Sequence, residues 1–391
     1  MSDSHTAVIV EAVRTARGKK KGSLVGTHPV DQLAHVLNAA VRRTGVDPLL
    51  LDDVSVGCVT QVGEQGLNIA RGAILAAGLP IELAGHTVNR FCGSGLQAVN
   101  AVAMAIMSGQ ADLGIGGGVE AMNRVPMGSD ADGPGTGPAS ESLLARFPGL
   151  VPQGLSAELI CEKWKLTRGQ VDEFAAASQQ KAGVAIREGR FKKEIEPIEV
   201  TDASGAKKLF DTDEHNRPST TVESLSALNP VFKPDGMIHA GNSSGIVDGA
   251  AAVMLASAAK ARSLGLKARA RIVATAVAGS DPVLMLTGPI PSTQKALKKA
   301  GLSVKDIDLW EINEAFAPVP IVVGQELGIP LDRINVNGGA IALGHPLGAT
   351  GAILIGTLLN ELERRDLRYG AATLCIGYGM GITTIIDRKV D

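Results

Sequence analysis

Aromatic side chains are scarce, at 3% of the 391 residues. Any core must therefore be built from aliphatic and small side chains. No excess of one charge is present either. Lys and Arg total 38 against 40 Asp and Glu, a net charge of −2, so no basic field calls for nucleic acid or an anionic membrane. Cysteine is limited to Cys58, Cys92, Cys161 and Cys375. The four are far apart and form no C-x-x-C pair, which excludes a zinc-ligand cluster and a small disulfide scaffold. The first apolar run, Ala7–Val10, is too short for a signal peptide, and no unbroken apolar stretch reaches membrane-spanning length. The ending Arg388-Lys389-Val390-Asp391 is no peroxisomal or retention signal. A reducing, cytoplasmic setting is the default expectation.

What is abundant is glycine, with 47 residues, and hydrophobic residues, at 45%. The length allows two or three domains and a large core. Ala7–Val13 reads as a buried strand, Pro29–Arg43 as a helix, Val54–Val59 as a strand and Asn68–Leu79 as a small-residue helix. A third helix runs to about Gly109, and Leu113–Glu120 is again a buried strand. Such alternation predicts a parallel α/β layer. The glycines Gly114, Gly116 and Gly118 do not make a dinucleotide site, because that pattern needs glycine where Val119 stands. Arg17–Lys21 reads as a solvated basic loop.

From Met122 to Gly245 the texture changes. Ser129–Ser140 is a long Gly/Pro/Ser/Asp loop. Thr167 and Gln170 form a capping box that opens a helix reaching about Glu188. After Gly245 the core texture returns, with Gly249–Ser257 and Arg269–Ala278 as strands. A short internal repeat links the flanks. Arg42-Arg43-Thr44-Gly45-Val46 leads to Asp53-Val54, and Lys298-Lys299-Ala300-Gly301-Leu302 leads to Asp308-Leu309. The expected organisation is an N-terminal half (1–121 plus 246–267), an inserted loop domain (122–245) and a C-terminal half (268–391).

Four stretches carry chemistry. In Asn89-Arg90-Phe91-Cys92-Gly93-Ser94-Gly95, Cys92 falls at a helix N-terminus, where free N–H groups and the helix dipole favour a thiolate. Glycines beside it let a carbonyl approach. Asn313, in Trp310-Glu-Ile-Asn-Glu-Ala-Phe316, stands where a strand turns into a helix and suits an N-cap; the alternative is an asparagine that fixes a water. His345, in Gly344-His345-Pro346, sits in a small-residue loop and can move protons near neutral pH. Cys375 ends a strand before Gly377. A small buried cysteine or a structural histidine explains each stretch taken singly.

Taken together and in this order, the stretches resemble the thiolase family of acetyl-CoA acetyltransferases and 3-ketoacyl-CoA thiolases. Gly241-Asn-Ser-Ser-Gly-Ile-Val-Asp-Gly249 adds to the likeness, which spans nearly the whole chain. The resemblance implies an α/β fold of two similar five-layered αβαβα halves with an inserted loop domain that touches coenzyme A. It implies a homodimer or homotetramer, with Ser129–Ser140 where the family's tetramer loop lies. It also implies a fatty-acid β-oxidation enzyme that takes coenzyme A and acyl-CoA as substrates, with no permanently bound cofactor and no metal. By this likeness Cys92 is the nucleophile, His345 its base and Cys375 the acid/base for the acetyl carbon. Asn313 holds a water, and the N–H groups of Cys92 and Gly377 bind an oxyanion. Ser244, Arg217 and Ser224 are implied coenzyme A contacts, and Phe232 and Phe316 line the path.

Two departures bear on subtype. Tyr378 stands where the family has glycine or another small residue. Pro152-Gln153-Gly154 stands where short-chain synthetic members have His-Met before the glycine. Thiolytic cleavage of a longer or bulkier 3-ketoacyl-CoA is therefore the favoured expectation over acetoacetyl-CoA synthesis. A non-catalytic acyl-CoA or lipid-binding protein on the same fold is the alternative of another class.

Overall fold

The computed structural model describes all residues except 1, 2, 134, 136, 203 and 391. Two positions of the Ser129–Ser140 loop and the last residue of the terminal tetrapeptide thus lie outside the described residues. Strands in chain order are β1 (Ala7–Arg14), β2 (Gly18–Lys19), β3 (Asp53–Gly57), β4 (Ala84–Val88), β5 (Leu113–Ala121), β6 (Ile198–Thr201), β7 (Lys207–Phe210), β8 (Val247–Ser257), β9 (Ala270–Gly279), β10 (Leu309–Ile312), β11 (Tyr369–Ile376) and β12 (Met380–Asp387). One sheet runs β10-β11-β12-β9-β1-β8-β5-β3-β4, with β2 attached to β8, and β6–β7 form a separate ribbon. Its central strands are apolar and buried on both faces, as β5 and β8 show along their whole length, whereas β4 at the edge is half-exposed. Helices must therefore cover both sides.

The sheet is mixed rather than parallel throughout. β3 pairs in parallel with β4 and β5, and β10 with β11. β5–β8, β1–β8, β11–β12 and β9–β12 are antiparallel. The reason at β11–β12 is the length of the connection. Gly377-Tyr378-Gly379 is far too short for the crossover that a parallel pair requires. The pairing senses repeat along the order, since β3-β5-β8-β1 and β10-β11-β12-β9 each run parallel and then antiparallel twice. The short sequence repeat leads into β3 and β10, the matching members of the two runs. They join where Val8 pairs with Arg271 and Ile9 with Ala270.

Two helices position the site. Ser94–Ser108 buries Leu96, Val99, Ala103 and Ile106 and stops at left-handed Gly109 (φ 78°), whose N–H caps the Ala105 and Ile106 carbonyls; glycine reaches this conformation without the Cβ penalty. The segment Phe91–Ser108 is long and apolar enough to cross a membrane. Its apolar face instead meets the same core as Leu354, Leu358 and Leu362 of the helix Leu347–Arg365. Each fully buried side chain of this size contributes ~1.5–3 kcal/mol. Between the helices there is room for glycine alone. A Cβ on Gly351 would lie 2.1 Å from the Leu96 nitrogen, and one on Gly95 would lie 2.6 Å from the Gly348 oxygen.

The segment between β5 and β8 lies against this core. Its capping box forms as the sequence predicts. Gln170 N–H donates to Thr167 Oγ1 (3.2 Å), and Thr167 N–H donates to Gln170 Oε1 (2.8 Å). It is fastened to β1 by Arg14, which is buried and donates to Glu194 (2.7 Å) and, bidentately, to Asp213 (2.7 and 2.8 Å). Arg17 is 4% exposed, so the solvated reading of Arg17–Lys21 is corrected. The Arg17 backbone N–H donates to the same Asp213 (2.8 Å), and its guanidinium reaches the Gly344 carbonyl (3.3 Å). Only Lys19–Lys21 remain exposed.

Gly351→Ala is expected to lose about 1–3 kcal/mol of stability in chemical denaturation, because the helix pair cannot absorb the methyl group. Gly72→Ala, in the helix Ile69–Ala76, meets only Val30 Cγ2 at 3.8 Å and should gain about 0.5–1 kcal/mol. Equal effects at the two positions would disprove the close-packing argument.

Candidate active site

Cys92 sits in a strained turn. Asn89 Oδ1 accepts from the Phe91 N–H (2.8 Å), and Asn89 Nδ2 donates to the Val59 carbonyl (3.0 Å). Ser94 Oγ accepts from the Arg90 N–H (2.8 Å) and donates to the Phe91 carbonyl (2.6 Å). These bonds hold Phe91 in the left-handed region (φ 44°), which costs a non-glycine residue about 1–3 kcal/mol. The turn delivers Cys92 to the wall of a cleft of about 470 Å³, shared with Gly377, Gln153, Tyr378 and Leu347.

The thiolate expectation does not hold for the free enzyme. Gly93 caps the helix and Cys92 precedes the cap. Burial dominates and pushes the thiol up to about 11, against a downward pull from the Gln153 side chain and the cysteine's own N–H. Cys375, buried in β11, is pushed up by burial and then by the neighbouring Cys92 charge. The two sulfurs are thus within electrostatic reach, and both are protonated at neutral pH.

His345 follows left-handed Gly344 (φ 90°), where a Cβ would strike Val247. Its N–H donates to the Gly245 carbonyl (3.0 Å), which ties the loop to the Asn242–Gly245 segment. On the ring, Nδ1 lies 2.6 Å from Thr350 Oγ1. That hydroxyl already donates to the Pro346 carbonyl (2.9 Å), so it accepts here and Nδ1 carries the proton. Nε2 is left with its lone pair, facing Asn313 Nδ2 at 3.2 Å. Burial first and Arg17 second lower the imidazole to about 3, so it is a neutral base at physiological pH.

Asn313 is not an N-cap. The helix after β10 begins at Pro318 behind Ala317, because Pro318 sets the helical start and the intervening Ala315-Phe316 segment stays extended toward Ser243. The Asn313 N–H continues the β10–β11 pairing to the Thr373 carbonyl (3.0 Å). Its Oδ1 is buried without a protein partner, an acceptor open to a water or a substrate group.

A second cleft of about 580 Å³ gathers Arg217, Ser224, Phe232 and Ser244, together with Lys20 and His215. Arg217 is exposed. The Ser224 hydroxyl is taken up in its own helix cap, donating to the Thr221 carbonyl (2.8 Å). Ser244 N–H donates to the Ala315 carbonyl (3.0 Å). Phe316 is buried behind Phe232, with ring centroids 6.0 Å apart and nearly perpendicular planes. Phe232, not Phe316, therefore borders the cleft.

Sequence reasoning missed three supporting residues. Buried Glu120 accepts from the N–H groups of Val59 (3.0 Å), Thr60 (3.1 Å) and Gly348 (2.8 Å) and from Gln65 Nε2 (2.7 Å). It thereby bolts the cleft wall to the helix behind His345. Its one signal was an acid at the end of an otherwise apolar strand. Thr350, five residues after His345, and Arg17 left no signal distinguishing them from ordinary helix and loop residues.

Fold and site together define a mixed α/β protein with two thiols, a neutral imidazole and a paired cleft. Residues 7–259 match the family description "Thiolase, N-terminal domain" and residues 266–388 match "Thiolase, C-terminal domain". The chain belongs to the thiolase family. It is 47% identical over 387 residues to a 3-ketoacyl-CoA thiolase of Aeromonas hydrophila subsp. hydrophila, covering 97% of this chain and 99% of that one. It is 46% identical to a 3-ketoacyl-CoA thiolase of Photobacterium profundum, at 98% and 100% coverage. Among solved structures, the acetyl-CoA acetyltransferase of Bacillus anthracis superposes with a TM-score of 0.90 at 39% identity, covering 98% of this chain and 99% of that one.

Because the Cys92 thiol is raised to about 11, its alkylation by iodoacetamide in the free enzyme should accelerate about tenfold per pH unit from neutral pH upward, as the thiolate fraction grows. A rate already level below about pH 8 would show that burial does not dominate.

Proposed function

We propose that the chain catalyses thiolytic cleavage of a 3-ketoacyl-CoA by coenzyme A, giving acetyl-CoA and a shortened acyl-CoA. One observation carries the reading: a buried neutral imidazole, with Nδ1 pinned by Thr350 and the Nε2 lone pair facing Asn313 Nδ2, accompanies two buried, protonated thiols, Cys92 and Cys375. Substrate binding brings the 3-keto carbonyl to Cys92. The Cys92 proton passes to His345 Nε2 as sulfur bonds to the carbonyl carbon, so a neutral thiol is activated only at the moment of attack. Negative charge on the carbonyl oxygen is met by prealigned N–H groups. Those of Cys92 and Gly377 suit this role, since neither is engaged by another backbone carbonyl among the described residues. Breaking the bond between the second and third carbons leaves an acyl-Cys92 thioester and the enolate of acetyl-CoA.

Cys375 gives its proton to that enolate and becomes a thiolate. The incoming coenzyme A thiol returns a proton to Cys375 and attacks the thioester. Cys92 leaves and recovers its own proton from His345, which closes the cycle. Asn313 Oδ1 would hold a water that helps His345 stabilise the thioester-enolate oxygen. Arg217, Ser244 and Phe232 would receive the nucleotide and pantetheine of coenzyme A in the second cleft, with Lys20 adding a positive charge. Phe316 supports Phe232 from behind, and Ser224 keeps the helix beneath Arg217 capped.

The first cleft, about 470 Å³, is larger than an acetyl group needs, which favours cleavage over acetoacetyl-CoA synthesis. A binding protein without catalysis would have no use for a tautomer-fixed base buried at this cost. Self-association into a dimer or tetramer is supported by β4, which ends the sheet as an open edge. Leu67, Leu75 and Ile81 are exposed in the segment leading to it. The four cysteines are free and buried, which suits a reducing cytoplasm.

Cys92→Ala should lower thiolysis by about 10⁴-fold or more, and acyl-Cys92 should be trapped in the wild type by mass spectrometry. Full activity of the variant rejects the mechanism. Cys375→Ala should still be acylated at Cys92 but should fail to exchange the α-protons of acetyl-CoA with deuterated water. Normal exchange would reject the role given to Cys375.

A further inference from the structure

The wall of the Cys92 cleft carries polar groups that the mechanism does not use. Thr60 is 1% exposed, and its Oγ1 is buried without a hydrogen-bond partner. Its backbone N–H is held by Glu120 (3.1 Å). Gln153 opens the helix Gln153–Trp164 and borders the cleft. Its amide makes no hydrogen bond to an oxygen or nitrogen of another described residue, and its one noted interaction is with the Cys92 sulfur. Tyr378 is held by the β11–β12 turn in the left-handed region (φ 58°). Its ring meets Phe91 edge-on, at 5.7 Å and 68°, while its hydroxyl has no partner among the described residues. The rest of the wall includes the thioethers of Met127 and Met285, with Asn89 and Asp130 as further polar members.

A cleft built for a straight alkyl chain gains nothing from these groups. Gln153 is half-buried and Tyr378 exposed, and an alkyl chain covering their polar groups would strip water without replacing it, at a cost of about 1–3 kcal/mol each. The edge-on aromatic pair and the thioethers favour contact with a ring. We propose that the acyl cleft is specific for ring-bearing 3-ketoacyl-CoA esters whose acyl group carries a hydroxyl or comparable oxygen, recognised by Gln153 and Tyr378. This rests on the thiolysis reading above and names its substrate class.

The test compares three substrates on purified full-length protein: 4-hydroxybenzoylacetyl-CoA, benzoylacetyl-CoA and a straight-chain 3-ketoacyl-CoA of similar carbon count. The first two differ by one hydroxyl group. Their ratio of kcat/KM cancels any effect on the nucleophile itself, which matters because Gln153 touches Cys92. In the wild type the hydroxylated ester should be preferred over its parent by about tenfold or more, and over the straight chain as well. Tyr378→Phe removes only the hydroxyl and keeps the ring on Phe91, and Gln153→Met keeps the side-chain length. At least one of these should bring the ratio toward unity while benzoylacetyl-CoA is still cleaved. A wild-type ratio at or below one, a preference for the straight chain, or a ratio unchanged in both variants overturns the proposal. If the wild type cleaves none of the three esters and not acetoacetyl-CoA either, the thiolysis reading fails and the proposal falls with it.

Discussion

Everything at the site depends on two helices touching through glycine. Ser94–Ser108 begins just after Cys92, and Leu347–Arg365 begins just after His345. Where they meet, Gly95, Gly348 and Gly351 leave backbone against backbone, and the Gly348 oxygen would lie 1.8 Å from a Cβ on Gly118 of β5. Such an approach fixes the separation of the helix starts more tightly than interdigitating side chains could, because there are no rotamers to adjust. Glu120 adds a polar bolt at the same place by accepting from Gly348 and from the wall of the cleft at once. Cysteine and histidine therefore inherit their relation from the core. Neither holds the other.

Burial then decides the protonation states. A helix N-terminus offers a thiolate a few tenths to about 1 kcal/mol, whereas enclosing the sulfur in apolar surroundings disfavours its charge far more strongly. Desolvation therefore wins at Cys92 and Cys375, and it also keeps His345 neutral. All three groups are therefore uncharged near neutral pH. In such an enclosure a charge that develops during reaction is met by oriented N–H groups rather than by water. The buried ion pairs, by contrast, lie outside the site. Arg14 with Glu194 and Asp213 fastens the insertion to β1, and Arg17 stands behind the Gly344 carbonyl without contacting a thiol.

Much of this was legible in the residues. The apolar runs mark β1, β5 and β8, and the glycine at 109 ends a helix as expected. The Thr167–Gln170 box appears as written, and the four chemical stretches are specific enough to indicate the family. Three things were not legible, each for a physical reason. Strand direction escaped because a run buried on both faces has no alternation to betray its partner. The fate of Arg17 escaped because its counter-charge, Asp213, is distant in sequence, so the basic run read as solvated. The place of Asn313 escaped because a side chain at a strand end has the same neighbours in sequence whether it caps a helix or faces a histidine. The Cys92 thiol was misjudged for a related reason: a helix terminus is visible in sequence, but the depth at which it is buried is not.

The repeat gives the site its asymmetry. β3-β5-β8-β1 and β10-β11-β12-β9 share one pattern of pairing, and in each run a helix leads into the second member. Cys92 precedes that helix in the first run, and His345 precedes it in the second. They are topological equivalents that have taken different chemistry. On the proposed mechanism, a single run would hold a nucleophile without a base, or a base without a nucleophile. The second thiol breaks the correspondence. Cys375 lies at the end of β11, whose counterpart β5 ends in Glu120, an acceptor locked by four hydrogen bonds. One strand end is thus a structural clamp, and the other carries the thiol proposed to move a proton. The difference follows from what each side chain can release: a carboxylate held by four hydrogen bonds cannot move, whereas a thiol free of such a clamp can.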